Sequence, residues 1–221
     1  MSKKKALLIL NGELNLDRKD LEQLIKKEQI DKIIAVDGGA NIARKLNLQP
    51  DLIIGDLDSI TDSNKEYFSK KKIETIKFPV EKDQTDSEIA VDYCLENNFK
   101  ELYLTAALGG RIDQELANLN LLEYIYELDL KARIISKKIE IGIFDQRKKF
   151  YNKKGYRLSL IPQTKVVSGL SIKGCKYKLE SQQIERSKSR GISNLIVSKE
   201  AEISLDKGLL IYVLENIEES R

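Results

Sequence analysis

Short apolar runs alternate with amphipathic stretches along roughly the first 135 residues. The runs ALLIL (6–10), KIIAV (32–36), LIIG (52–55), IETIKF (73–78), ELYLTAAL (101–108) and ARIIS (132–136) predict strands. Between them, helical spacing of apolar positions predicts helices over 17–28, 39–47, 62–71, 86–97 and 113–127. In the fourth helix Ile89, Ala90, Tyr93 and Cys94 share a face, and in the fifth Leu116, Leu119, Leu122 and Tyr126 do; both stripes read as core. Parallel neighbours need a crossover that packs back onto the sheet, so this alternation predicts an α/β fold: a parallel sheet with helices on both faces.

The pattern changes after about residue 137. KKIEIGIFD, KKFYN, YRLSLIPQT, VVSGLSIKG, YKLE, LIVSKEAEIS and GLLIYVLE are short alternating stretches separated by Gly, Asn and Pro turns. They predict a smaller all-β, sandwich-like module. The expected division is therefore an α/β domain at 1–140 and a β-sandwich domain at 141–221, with no low-complexity linker between them.

Composition narrows the chemistry. A chain of 221 residues buries about 70% of its unfolded surface and needs no disulfide staples. Its two cysteines, Cys94 and Cys175, have neither metal-ligand nor CxxC spacing and read as packed thiols in a reducing, cytoplasmic setting. No apolar run is long enough for a signal-peptide core or a membrane span. Thirty-eight basic against 35 acidic residues leave a net charge of +3, and the lysine runs at 3–5 and 70–72 carry no interleaved aromatics, which argues against nucleic-acid binding. The chain has no histidine. Ser–His–Asp and Cys–His catalysis and every His-ligated metal site are thereby excluded.

Ligands of parallel α/β sheets bind outside the carboxyl ends of the strands. Asn11-Gly12, Asp37-Gly38-Gly39, Asp56-Leu57-Asp58-Ser59 and Gly109-Gly110-Arg111-Ile112-Asp113-Gln114 all fall there, and EKDQTDSE (81–88) leads into the helix that begins near Asp86. Two unpaired carboxylates about 5 Å apart repel by roughly 3 kcal/mol at an effective dielectric of ~20. Convergence of Asp37, Asp56, Asp58 and Asp86 therefore calls for a counter-charge, either Arg111 or a hard divalent cation. Oxygen-only donors favour Mg²⁺, which typically bridges substrate phosphates. Glycines at 38–39 and 109–110 would let backbone N–H groups approach phosphate oxygens. Simpler readings exist for each cluster: Asp58 or Asp86 as a helix N-cap, and Gly-Gly as a turn. Neither GxxxxGK[ST] nor GxGxxG occurs.

The ordered series LILNGEL (8–14), VDGGAN (36–41), PDLIIGDLDSI (50–60), FPVEKDQTDSE (78–88) and LGGRIDQELANL (108–119), followed by GLSIKGCKYKL (169–179) and SRGISN (189–194), resembles the thiamine pyrophosphokinase family. The resemblance implies transfer of pyrophosphate from ATP to thiamine with Mg²⁺, giving thiamine diphosphate and AMP. It also implies a homodimer whose thiamine site lies at the subunit interface. By position, Asp56, Asp58 and Asp86 would serve metal and chemistry with Arg111. Asn11, Asp37, Gly38, Gly39, Gly110, Asp113 and Gln114 would bind ATP, and Asp86, Ser193 and Asn194 would bind thiamine. This chain departs from the family pattern at Gln114, where many members carry His, and at Cys175, Lys178 and Leu195. The rival readings are a pyrophosphokinase for another hydroxymethyl heterocycle, such as a pterin, and a non-catalytic nucleotide sensor.

Overall fold

The computed structural model describes residues 3–79 and 83–217, so Glu81 and Lys82 of the EKDQTDSE stretch lie outside it. The chain forms two compact units, Met1–Lys137 and Lys138–Arg221.

Among the described residues, the first unit carries six strands: β1 (Lys4–Ile9), β2 (Lys32–Val36), β3 (Leu52–Gly55), β4 (Glu74–Lys77), β5 (Phe99–Thr105) and β6 (Lys131–Ile135). They pair in parallel in the order β6-β5-β1-β2-β3-β4. Ala6 through Ile9 are completely buried, which explains why β1 reads as an unbroken apolar run. Five helices connect the strands: α1 (Arg18–Glu28), α2 (Gly39–Lys45), α3 (Asp62–Lys70), α4 (Asp86–Glu96) and α5 (Ile112–Glu127). Helices α1 to α3 bury Leu21, Ala40, Ala43 and Phe68 against Leu7, Ile9, Ala35 and Ile53 on one face of the sheet. Alternation sends Leu8, Ile34 and Ile54 to the other face, where α4 and α5 pack.

One expectation needs correction. Leu116 of α5 is 56% exposed and Leu119 only half-buried; the face in the core is Asn118, Leu121, Leu122 and Ile125. Helix α5 is apolar around much of its circumference, so helical spacing fits more than one stripe, and docking on the sheet selects between them.

The second unit contains β7 (Ile139–Phe144), β8 (Arg147–Tyr151), β9 (Arg157–Pro162), β10 (Val166–Lys173), β11 (Leu179–Glu185), β12 (Asn194–Leu195), β13 (Glu200–Ser204) and β14 (Leu210–Glu215). The stretch LIVSKEAEIS thus splits into two strands. Antiparallel pairing orders them as β12-β9-β14-β7 and β11-β10-β13-β8. The two sheets share one apolar core, in which Phe150 of β8 meets Tyr212 of β14 edge to face at 5.2 Å. That is a sandwich.

Both cysteines are buried free thiols, and burial pushes Cys94 up to about 12 and Cys175 up to about 11. Among the described residues no helix is long and apolar enough to cross a membrane.

Candidate active site

The strand order reverses between β1 and β5, because the chain moves from β1 toward β4 on one side and from β5 to β6 on the other. A crevice opens at such a reversal, at the carboxyl edge of the sheet. Here it has a volume of about 450 Å³, and Asn11, Asp37, Asp56, Asp58, Asp86, Arg111 and Gln114 all face it. The turns after β1 and β5 close one wall, with Gly12 N–H donating to the Ala106 carbonyl (2.7 Å) and Glu13 N–H to that of Leu108 (2.9 Å). A larger, shallower groove of about 630 Å³ runs between α1 and β6, but it is lined by Leu16, Leu24, Ile135 and lysines, and Asp20 is its single acid among the described residues.

One carboxylate oxygen from each of Asp37, Asp56 and Asp58 lies within 4.8 Å of the other two. The register that sets Val36 beside Ile54 brings the end of β2 next to the end of β3, so Asp37 faces the acids that follow Gly55. Asp37 is 7% exposed, and its Oδ1 is buried without a hydrogen-bond partner. Asp56 Oδ1 accepts from the Asp58 N–H (3.0 Å), and Asp58 Oδ1 accepts from Ser59 Oγ (3.0 Å). Backbone strain gathers at the same rim: Asp37, Leu57 and Ala106 adopt φ of 44°, 67° and 51°. Such conformations cost about 1–2 kcal/mol for residues with a Cβ and persist where the surroundings over-determine them.

Each pair of these acids repels by roughly 3 kcal/mol at an effective dielectric of ~20, and less where Asp58 faces water. A cation among them turns that cost into attraction. The donor set is all oxygen and includes a buried, unpartnered carboxylate atom, so it fits a hard divalent ion such as Mg²⁺.

The remaining expected residues sort by position. Asp86 is the first residue of α4, and the capping is done by Thr85 and Glu88, whose side chain and backbone groups bond reciprocally (3.2 and 2.7 Å). Thr61, not Asp58, stands at the N-cap of α3. Neither acid is therefore accounted for as a cap. Asp86 faces the crevice but is not one of the three clustered acids; Asp37 takes that place. Arg111 forks onto Asp113 (Nε to Oδ1 3.1 Å, Nη2 to Oδ2 2.5 Å), holding the Asp113 carboxyl below its usual range, with the arginine side chain 74% exposed. Asp113, Gly38, Gly39 and Gly110 do not line the crevice. Gly39 has a packing reason of its own, because a Cβ there would come within 1.9 Å of the Ile9 carbonyl oxygen. In the second unit Ser193 is exposed, whereas Asn194 is buried with its amide spent on Tyr177: Oδ1 accepts from Tyr177 N–H (2.9 Å) and Nδ2 donates to the Tyr177 carbonyl (2.7 Å).

Three residues of this region lie within the quoted motifs but receive no role from them. Asn118 is buried on the core face of α5 and donates to the Ala107 carbonyl (2.9 Å), and a polar residue inside an apolar stripe is the signal that marks it. Gln84 faces the crevice and donates to Asp92 on α4 (2.8 Å). Asn41 bonds to the segment after β3.

Fold and site together define the class: a parallel α/β unit with a carboxylate-lined crevice at its switch point, followed by an antiparallel β-sandwich. Comparison with known proteins gives that class its family. The thiamin pyrophosphokinase catalytic-domain model matches residues 21–134, and the model of the thiamin pyrophosphokinase vitamin B1 binding domain matches residues 143–210. The thiamine pyrophosphokinase of Bacillus subtilis (strain 168) is 31% identical over 189 residues, covering 81% of this chain and 85% of that one. The crystal structure of thiamine pyrophosphokinase from Bacillus subtilis superposes with a TM-score of 0.83 at 26% identity, covering 96% of this chain and 99% of the other. The enzyme from Candida albicans shares the fold, with a TM-score of 0.81 at 22% identity over 97% and 89% of the two chains. The chain belongs to the thiamine pyrophosphokinase family.

Proposed function

We propose that this protein transfers the pyrophosphoryl group of ATP to thiamine, giving thiamine diphosphate and AMP. The observation that carries the reading is the meeting of Asp37, Asp56 and Asp58 in the switch-point crevice of a chain of this family. Asp56 and Asp58, with Asp37, would hold Mg²⁺, which when bound neutralises phosphate oxygens and polarises the β-phosphorus. Asp86 faces the same crevice from α4 and orients the thiamine hydroxyl, accepting its proton as the oxygen attacks the β-phosphorus. The bond to the α–β bridging oxygen breaks, and AMP leaves with that oxygen. Arg111 exchanges its fork from Asp113 to a phosphate, a small rearrangement for an exposed side chain whose planar donors suit either partner. A loose transition state asks for positioning more than for a strong base. Asn11, Gln114 and the backbone about Gly38, Gly39, Gly110 and Asp113 form the ATP side. Ser193 offers its hydroxyl to thiamine, and Asn194 acts by holding the Tyr177 backbone. The protein is proposed to work in the cytoplasm as a homodimer.

The test is to incubate the protein with Mg²⁺, ATP and thiamine and to separate the products by chromatography, with hydroxymethylpterin assayed beside thiamine. Equal amounts of thiamine diphosphate and AMP are expected, with no ADP and no turnover of the pterin. Formation of ADP, or AMP released only with the pterin, would sink the proposal. ATP binding without turnover would leave a sensor.

A further inference from the structure

Asn41 is the third residue of α2, four positions after Asp37 on the same turn out of β2. Its side chain reaches across to the segment that follows β3. Nδ2 donates to the Ser59 carbonyl (2.8 Å), while Oδ1 accepts from the Thr61 N–H (3.2 Å) and from Asn64 Nδ2 (2.8 Å). The α3 N-cap, Thr61, spends its hydroxyl on Ser63 Oγ (3.3 Å) and makes no side-chain capping bond to the helix backbone, so Asn41 supplies the polar anchor at that end. Ile60 plants the same segment in the core from below. Asp56 and Asp58 lie between two fixed points, the end of β3 and this anchor.

The three acids come from two separate segments: Asp37 from the turn after β2, Asp56 and Asp58 from the turn after β3. Their mutual repulsion pushes those segments apart, and Asn41 ties one to the other by side-chain hydrogen bonds. Asp37 sits in a left-handed conformation with a buried, unpartnered oxygen, so it has little freedom to follow a drifting partner. We propose that Asn41 is a positioning residue that sets the distance between Asp37 and the Asp56/Asp58 pair, and through it the affinity for the divalent cation. The inference rests on the function proposed above and deepens it at the same site.

Mn²⁺ alone, titrated into the full-length protein with free ion read by electron paramagnetic resonance, tests it. Asn41→Ala should weaken Mn²⁺ binding by about 10- to 100-fold, the usual effect of removing a residue that orients metal ligands. Asn64→Ala removes one of the three bonds and should shift binding in the same direction by less than about 10-fold. In the assay, the Mg²⁺ activation midpoint of Asn41→Ala should move by the same factor, while kcat at saturating Mg²⁺ is restored. A merely structural role would lower turnover at every Mg²⁺ concentration and leave the midpoint in place, which overturns the inference. Should Asn41→Ala fail to fold, Asn64→Ala decides, and unchanged Mn²⁺ affinity there overturns it. Mn²⁺ bound normally by both variants refutes the positioning role alone; no Mn²⁺ bound by the wild type withdraws the cation reading beneath it as well.

Discussion

Asp58 shows how a single side chain separates function from stability. It lies on a loop, caps no helix, and shares its charge with two neighbours that repel it. Asp58→Asn removes one repelling charge, so the urea midpoint should not fall. Turnover should fall by about 10²- to 10³-fold, the equivalent of the several kcal/mol that cation-held charge stabilisation supplies. Steady-state kinetics beside a urea titration check both halves, and near-normal kcat would remove Asp58 from the site. The acids at the strand ends were legible, because LIIG must finish in the sheet before GDLDS can turn out of it. Which acids meet was not: Asp37 and Asp56 are brought together by the Val36–Ile54 register, which no local pattern encodes. Asn194 was legible as part of a motif, but not as a buried clamp on Tyr177.

At the scale of elements, two contacts position the crevice. Helix α2 approaches the end of β1 so closely that Gly39→Ala would press a methyl group onto the Ile9 carbonyl oxygen at 1.9 Å. Urea unfolding should show a loss of about 3 kcal/mol, the upper range for overpacking against backbone that cannot yield. Helices α4 and α5 are joined by the Tyr124 hydroxyl, which donates to Asp92 (2.5 Å); that bond pushes the phenol up to about 12 from an ordinary 10. The folded protein therefore keeps its proton where the unfolded chain releases it. The stabilisation is fully present below pH 10 and is lost as pH rises from 10 to about 12. Tyr124→Phe should cost about 1 kcal/mol at pH 8, and its stability should converge on that of the wild type through that alkaline window, read by chemical denaturation at each pH. Helix α5 also shows the limit of periodicity. Its apolar residues support several faces, and only the sheet chooses the one carrying Asn118, Leu121, Leu122 and Ile125.

For the whole molecule, occupancy of the acid crevice should appear as stability. A ligand that binds only the folded state at a hundred times its Kd adds about 2.7 kcal/mol. Thermal unfolding should shift upward with Mg²⁺ and ATP together, return with EDTA, and lose this response in Asp58→Asn. An unfolding curve blind to Mg²⁺ would contradict a cation among the three acids. Each unit also holds a core of its own, one around Leu7, Ala35 and Ile53 and the other around Phe150, Leu170 and Tyr212. By itself the sequence determined the change from helical to alternating periods near residue 137, the placement of polar turns at strand ends, and the exclusion of histidine chemistry. The first two depend on neighbours along the chain, and the last on composition alone. Tertiary structure alone decided that Asp37 rather than Asp86 completes the clustered acids, that Leu116 faces water, and that Arg111 forks onto Asp113. The physical reason is distance. Carboxylates close enough to share an ion lie on separate segments, and their spacing is set by strand register, the switch point and the side chains that tie the loops together.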